Sequence, residues 1–200
     1  MKSYSNIWFS SDWHFCHDNI LKYCSNTRDH YPNVEEMNED IIKNINAKVS
    51  KNDILYFLGD FGFCKNINDA VKIIERINCD IFFIKGNHDR EVLIKKIKTL
   101  PNIVGVEDLH SIKIDDPDAI HGKQMIVMCH YPLEVWDRSH YGALMIHGHS
   151  HGTLPVNLER MRLDVGIDCN NMQIFSYEDI KLHMFSRSYV PVDHHDSETN

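Results

Sequence analysis

The sequence predicts a layered α/β protein. Three observations carry that reading: short apolar runs alternate with helically spaced apolar residues through the first half, strand-like runs dominate the second half, and 200 residues are enough to bury a sizeable core. Alternating strands and helices suggest parallel βαβ units. Parallel sheets are normally covered on both faces, so a sandwich of layers follows. A chain of this length buries roughly 70% of its unfolded surface and needs no disulfide to hold it.

Ile7-Trp8-Phe9 is a buried strand that ends in Ser10-Ser11-Asp12-Trp13-His14. Asn33 then caps a helix with Glu36 as its partner three residues on, and Val34, Met37, Ile41, Ile45 and Val49 give it one apolar face. Asp53 to Leu58 is the next strand, ending in Gly59-Asp60, and Ile67, Val71, Ile74 and Ile77 mark a second helix. Ile81 to Ile84 is a short strand ending in Lys85-Gly86-Asn87-His88-Asp89, and a third helix covers Arg90 to Leu100. Later come an alternating strand at Ile112-Lys113-Ile114, apolar strands at Met125 to Cys129 and Leu144 to Ile146, and a further strand from Arg162 to Ile167. Ser176-Tyr177-Glu178-Asp179 starts a last helix that runs to Phe185. No linker divides the chain, so residues 1–190 read as a single domain, with a polar tail over 191–200.

Composition excludes several classes. At 42% hydrophobic and 25% charged, the chain is neither disordered, collagen-like nor a disulfide miniprotein. Its apolar runs fall far short of the roughly 20 residues that span a bilayer, and residues 1–6 lead into no long apolar segment, so neither a membrane helix nor a secretory signal is expected. Six cysteines form no Cys-x-x-Cys pair, which excludes a zinc knuckle or thioredoxin motif and suits reduced thiols in the cytoplasm. A net charge of −8 disfavours extended nucleic acid as a partner. It allows a small phosphorylated substrate, because bound cations reverse the sign of a site locally.

The unusual count is histidine, at 14. Asp12/His14, Asp60, Asn87/His88, His130 and His149/His151 each follow a short apolar run. In open α/β sheets, sites form beyond the carboxyl ends of strands, so these side chains are placed to converge. On an extended segment, residues two apart point the same way, which would let Asp12 and His14 share an ion, and likewise His149 and His151. Gly59, Gly86 and Gly148 stand just before the polar positions, where the backbone turns or approaches closely. Carboxylate, imidazole and amide donors without thiolate suit Mn²⁺, Zn²⁺ or Fe better than an all-oxygen Ca²⁺ site.

Asp12-x-His14, Gly59-Asp60, Gly86-Asn87-His88-Asp89, His130 and Gly148-His149-x-His151, in that order, resemble the signature of the calcineurin-like metallophosphoesterases. Tyr23-Cys24-Ser25-Asn26-Thr27-Arg28, Glu36-Met37-Asn38 and His147-Gly148-His149-Ser150-His151-Gly152 resemble the small phage- and bacterial-type members. The resemblance implies two mixed β-sheets packed as a four-layer sandwich flanked by helices. It also implies two divalent ions, Mn²⁺ first, with Zn²⁺, Fe or Ni²⁺ as alternatives. Asp12, His14, Asp60 and His151 would hold one, and Asp60, Asn87, His130 and His149 the other.

Such a pair lowers the pKa of a bridging water and clamps the attacking and leaving oxygens. The hydroxide would attack phosphorus in line, with His88 as general acid and Asp89 orienting and charging its imidazole. The expected reaction is hydrolysis of a phosphomonoester on a small molecule, nucleotide or phosphoprotein. The alternatives are a phosphodiesterase acting on cyclic nucleotides or nucleic-acid ends, and a scaffold without turnover, which the presence of His88 disfavours. Arg28 reads as a phosphate contact or a surface arginine, and His17 as a substrate contact or a helix-start histidine. Asp164 and Asp168 read as turn carboxylates or groups behind the ligands, and His147 as a strand position behind them. Cys16 and Cys64 read as packed thiols.

Overall fold

The computed structural model describes residues 3–119, 122–185, 187 and 190. The polar tail from Pro191, with His194 and His195, lies outside the described residues. The first sheet holds β1 (Ile7–Ser10), β2 (Ile54–Phe57), β3 (Asp80–Ile84), β4 (Ile103–Glu107) and β9 (Phe175–Ser176), in the order β4-β3-β2-β1-β9. Strands β1 to β4 are parallel, and β9 runs antiparallel to β1. The second sheet holds β5 (Leu109–Asp115), β6 (Lys123–Cys129), β7 (Leu144–His147) and β8 (Arg162–Asp164), in that order. Its β5–β6 pair is antiparallel, whereas β6–β7 and β7–β8 are parallel. Both sheets are therefore mixed.

Strand alternation sorts the core into layers. Ile54, Tyr56 and Leu58 turn toward Ile126, Met128, Leu144 and Ile146 of the second sheet, with Phe9 and Ile84 in the same cluster. Leu55, Phe57, Ile81 and Phe83 face the other way, onto the helices. Those helices are α1 (Ile20–Tyr23), α2 (Ser25–Arg28), α3 (Val34–Lys48), α4 (Ile67–Glu75) and α5 (Glu91–Ile97). Met37, Ile41 and Ile45 of α3, Ile74 of α4 and Ile94 and Ile97 of α5 complete that layer. The far side of the second sheet is covered by Trp136 and Ala143, from a loop whose only regular piece among the described residues is the 3₁₀ turn Ser139–Tyr141. Helix α6 (Tyr177–Met184) inserts Ile180 and Met184 between the sheets at the β8–β9 end.

The caps follow the sequence. Asn33 accepts the Glu36 N–H at 2.8 Å, and Ser176 and Asp179 form a reciprocal capping box. Several boundaries and one strand differ from expectation. Val49 stands in extended backbone as the C-cap of α3. Helix α5 closes at Ile97 rather than Leu100. Strand β8 stops at Asp164, whose carboxylate accepts the Gly166 N–H at 2.9 Å and turns the chain. Strand β4 went unread because Gly105 interrupts its pattern. A Cβ there would meet the Phe82 ring at 2.2 Å, so the ring lies across the glycine.

Candidate metal centre

Side chains at the carboxyl ends of β1, β2, β3, β6 and β7 meet between the two sheets. The loops that carry them are stitched to one another by backbone. Asp12 and His14 donate N–H groups to the carbonyls of Gly59 and Asp60 at 3.0 and 3.1 Å, and Gly148 donates to His130 at 3.0 Å. The approach is close enough to demand glycine. A Cβ on Gly148 would lie 1.9 Å from Ser11 Oγ and 2.5 Å from an Asp12 oxygen. One on Gly59, which has φ +92°, would lie 2.3 Å from the Gly86 nitrogen.

Asp12, His14, Asp60, His149 and His151 all have φ between 47° and 69°. Left-handed backbone costs a non-glycine residue on the order of 1–3 kcal/mol and concentrates where function demands it. It also replaces the reasoning from extended spacing. Because neither ligand segment is extended, residues two apart need not point together, and His149 and His151 go to different clusters.

Asp12, His14 and His151 form one cluster, with ligand atoms mutually within 4.8 Å. The Nε2 atoms of His14 and His151 are 3.2 Å apart, and each is 3.9 Å from Asp12 Oδ1. Asp60, His130 and His149 form the second. Asn87 joins it through Oδ1, which is 3.0 Å from both His130 Nε2 and His149 Nδ1. Asp60 Oδ2 lies between the clusters, 3.8 Å from His14 Nε2 and 3.5 Å from His130 Nε2. Ligand atoms each about 2.1 Å from a shared ion sit roughly 3–4 Å apart, so these spacings suit one cation per cluster.

The electrostatics of the first cluster ask for a cation. Asp12 is fully buried, and burial pushes its carboxyl up to about 8. Burial, with His151 alongside, pushes His14 down to about 2. His14 Nδ1 is buried and has no hydrogen-bond partner among the described residues. A divalent ion favours the ionised carboxylate and accepts the lone pair of an imidazole that burial already keeps neutral. In the second cluster, burial pushes His130 down. Its Nδ1 faces the Leu58 carbonyl at 2.7 Å and must donate there, leaving Nε2 with a free lone pair.

Comparison with known proteins now decides the family. The sequence matches the calcineurin-like phosphoesterases over residues 5–153. The chain belongs to that family. An uncharacterized protein of Methanocaldococcus jannaschii is 47% identical over 89 residues, covering 44% of this chain and 49% of the relative's own length. The gene 66 protein of Mycobacterium phage L5 is 25% identical over 186 residues, covering 82% of this chain and 87% of the phage protein. A protein of unknown function from Aquifex aeolicus shares the fold, with a TM-score of 0.64 at 21% identity over 89% of this chain and 98% of its own. The paired clusters could each hold a metal ion, and no helix among the described residues is long and apolar enough to cross a membrane.

Four expected contacts of this phosphoesterase take a particular form. His88 sits at the exposed edge, its N–H on Asp60 Oδ1 at 3.0 Å and its Nε2 4.0 Å from Asp60 Oδ2. His17 lies on the same rim, packed on Phe63 at 4.3 Å between ring centres, and Phe63 reaches His88 at 5.0 Å. Asp89 does not serve the His88 imidazole. Its two oxygens accept the backbone N–H groups of Asp60, Phe61 and Gly86 at 2.8–2.9 Å, so it clamps the two ligand loops together. Burial pushes that carboxyl up to about 6 in spite of those bonds.

Arg28 turns inward, behind the Asp12 cluster. It is fully buried, and its guanidinium is spent on Asp168 and on the carbonyls of Asp12 and Trp13. His147 is buried behind the cluster. Cys16 and Cys64 face each other, Sγ to Sγ, between the two loops. Phe63 and Tyr131, whose ring lies 4.9 Å from His149, went unread because exposed aromatics carry no motif.

Proposed function

We propose that this protein hydrolyses phosphomonoesters, with His88 as general acid at a centre whose ligands are Asp12, His14, Asp60, Asn87, His130, His149 and His151. The single observation that supports this best is the position of Asp60. One carboxylate oxygen lies within 4.0 Å of His14, His130 and His88, so both clusters and the edge histidine address one point. Two divalent cations bound there would supply an activated nucleophile and draw charge from the phosphoryl oxygens. Mn²⁺ suits the mixed oxygen and nitrogen donors, with Zn²⁺, Fe or Ni²⁺ as alternatives.

The protein's own groups do the rest. His130 and His151 donate their Nδ1–H groups to a fixed carbonyl and a fixed carboxylate, which keeps each Nε2 aimed inward. Asp89 holds the Asp60 and Asn87 loops in register through three backbone bonds. His88, with its side chain 45% exposed, gives a proton to the departing oxygen and regains it from water.

The exposed edge formed by Asn87, His88 and His149 also leaves room for a second substituent on phosphorus, and this favours a diester as the second reading. Aryl phosphate against bis-aryl phosphate, with Mn²⁺ and with chelator, separates the two. Faster monoester turnover that chelator abolishes is the expected result. A diester preference reverses the assignment, and no turnover of either ester with any divalent ion removes the enzyme reading.

A further inference from the structure

The buried cluster is held from behind by the Arg28–Asp168 ion pair, of which the mechanism above uses only the carboxylate on His151. Arg28 Nε and one terminal nitrogen grip the two oxygens of Asp168 at 2.8 and 2.6 Å. The same terminal nitrogen donates to the Asp12 carbonyl at 2.7 Å, and the other donates to the Trp13 carbonyl at 3.0 Å. Thr27 donates its hydroxyl to Asp168 at 2.5 Å. On its far side, Asp168 accepts His151 Nδ1–H at 2.7 Å. One continuous set of bonds thus joins the Asp12–His14 segment to His151, though the two lie about 140 positions apart in sequence.

We propose that Arg28 and Asp168 act as a single positioning unit that sets the affinity of the Asp12/His14/His151 half for its cation, and leaves the Asn87/His130/His149 half unaffected. A carboxylate on the outer nitrogen of a metal-binding histidine fixes the tautomer, aims the ring and raises the basicity of the inner nitrogen. The guanidinium's rigid fork does the same for the carboxylate, and its remaining donors hold the peptide carbonyls of Asp12 and Trp13. Beyond a sulfur contact to Met37 at 3.6 Å, the fork's partners are the Asp12 and Trp13 carbonyls and, through Asp168, the His151 ring.

Cys24, His151 and Asp168 also cluster closely enough to hold an ion. That arrangement is disfavoured, because both Asp168 oxygens already face a guanidinium whose charge repels a second cation. His151 Nε2 thus belongs to the Asp12 side.

The inference rests on the two clusters being metal sites, and the test separates the two ideas. Metal-free protein is titrated with Mn²⁺ by calorimetry, and the spin coupling of bound Mn²⁺ is followed by electron paramagnetic resonance. The wild type is expected to bind two ions as a coupled pair. Binding of none would overturn the metal reading along with this one. Asp168→Asn is expected to weaken one of the two ions roughly 10–100-fold and to leave uncoupled Mn²⁺ at two equivalents.

In a His151→Ala background the same substitution should add little, because Asp168 acts through that ring. Two tight, coupled ions in Asp168→Asn, or an equal loss with and without His151, overturns the proposal while the metal reading stands. Should Asp168→Asn fail to fold, wild-type protein loaded with diamagnetic Zn²⁺ decides by nitrogen-15 NMR. His151 is expected to be protonated at Nδ1 and metal-bound at Nε2, and the opposite tautomer overturns the proposal.

Discussion

The two halves of the centre are built from similar side chains and sit in unlike surroundings. Asp12 and His14 are almost wholly buried, and His151 keeps 19% of its side chain exposed. Their supports are charged: Arg28 and Asp168 beneath, with the Asp168 carboxyl held well below the usual range by Arg28 and His151 although burial works against it. In the other half, His130 is buried, but Asn87 and His149 stand at the surface. The recorded support of its buried imidazole is a neutral carbonyl, that of Leu58. The lesson is a division of labour. The enclosed half is braced on a buried ion pair, and the open half is reachable from solvent.

The largest expected effect falls on the group both halves share. Asp60→Asn should cut turnover by at least about 10³-fold, equivalent to roughly 4 kcal/mol of transition-state stabilisation. It should also reduce metal content below two ions per chain, measured on purified protein. Retained activity with two bound ions would mean that the halves do not share Asp60.

A smaller effect should separate chemistry from metal binding at the open edge. His88→Ala is expected to slow turnover of an alkyl phosphate by about 10²–10⁴-fold, to slow an aryl phosphate with a good leaving group much less, and to leave metal content intact. Equal losses on both esters would remove the general-acid role.

The smallest effect is thermodynamic and reads the enclosed half. Two Mn²⁺ ions at about 100 times their dissociation constants stabilise by roughly 2.7 kcal/mol each, which raises Tm by about 5–11 °C per ion for a chain of this size. That gain should grow between pH 6.5 and 8. In the metal-free protein, Asp12 is pushed up to about 8 from 3.8, so its contribution is lost as pH rises through that range. His151 is held up at about 10 from 6.5, because its bonds to Asp168 and Cys24 and the charge of Asp12 outweigh burial, and its contribution is lost from 6.5 upward. His14, pushed down to about 2, loses its contribution only as pH falls below 6.5 and does not act in this window. Bound cation replaces the protons, so the loaded protein escapes the decline. A chelated Tm that stays flat or rises from pH 6.5 to 8, by scanning calorimetry, would contradict these shifts.

Much of this was readable before any fold was drawn. Runs such as Ile54–Phe57 and Ile81–Ile84 announce buried strands, and a Gly-Asp or Gly-Asn-His directly after each marks where polar groups emerge. Asp89 illustrates the limit. Its place beside His88 suggested an imidazole partner, yet the carboxylate turns to backbone donors of a loop 28 and 29 residues earlier. Arg28 shows the same limit, because nothing local says that its guanidinium turns inward to a carboxylate 140 positions away.

Sequence alone therefore determined most of the strands and helices, the caps at Asn33 and Ser176, and the residue types gathered at the strand ends. These depend on spacing, side-chain chemistry and chain neighbours. Only the tertiary structure decided which ligand joins which cluster, that Arg28 and Asp168 brace one of them, and that Asp89 clamps two loops. Those outcomes depend on left-handed turns at Asp12, His14, Asp60, His149 and His151, and on burial that makes each buried charge find its partner.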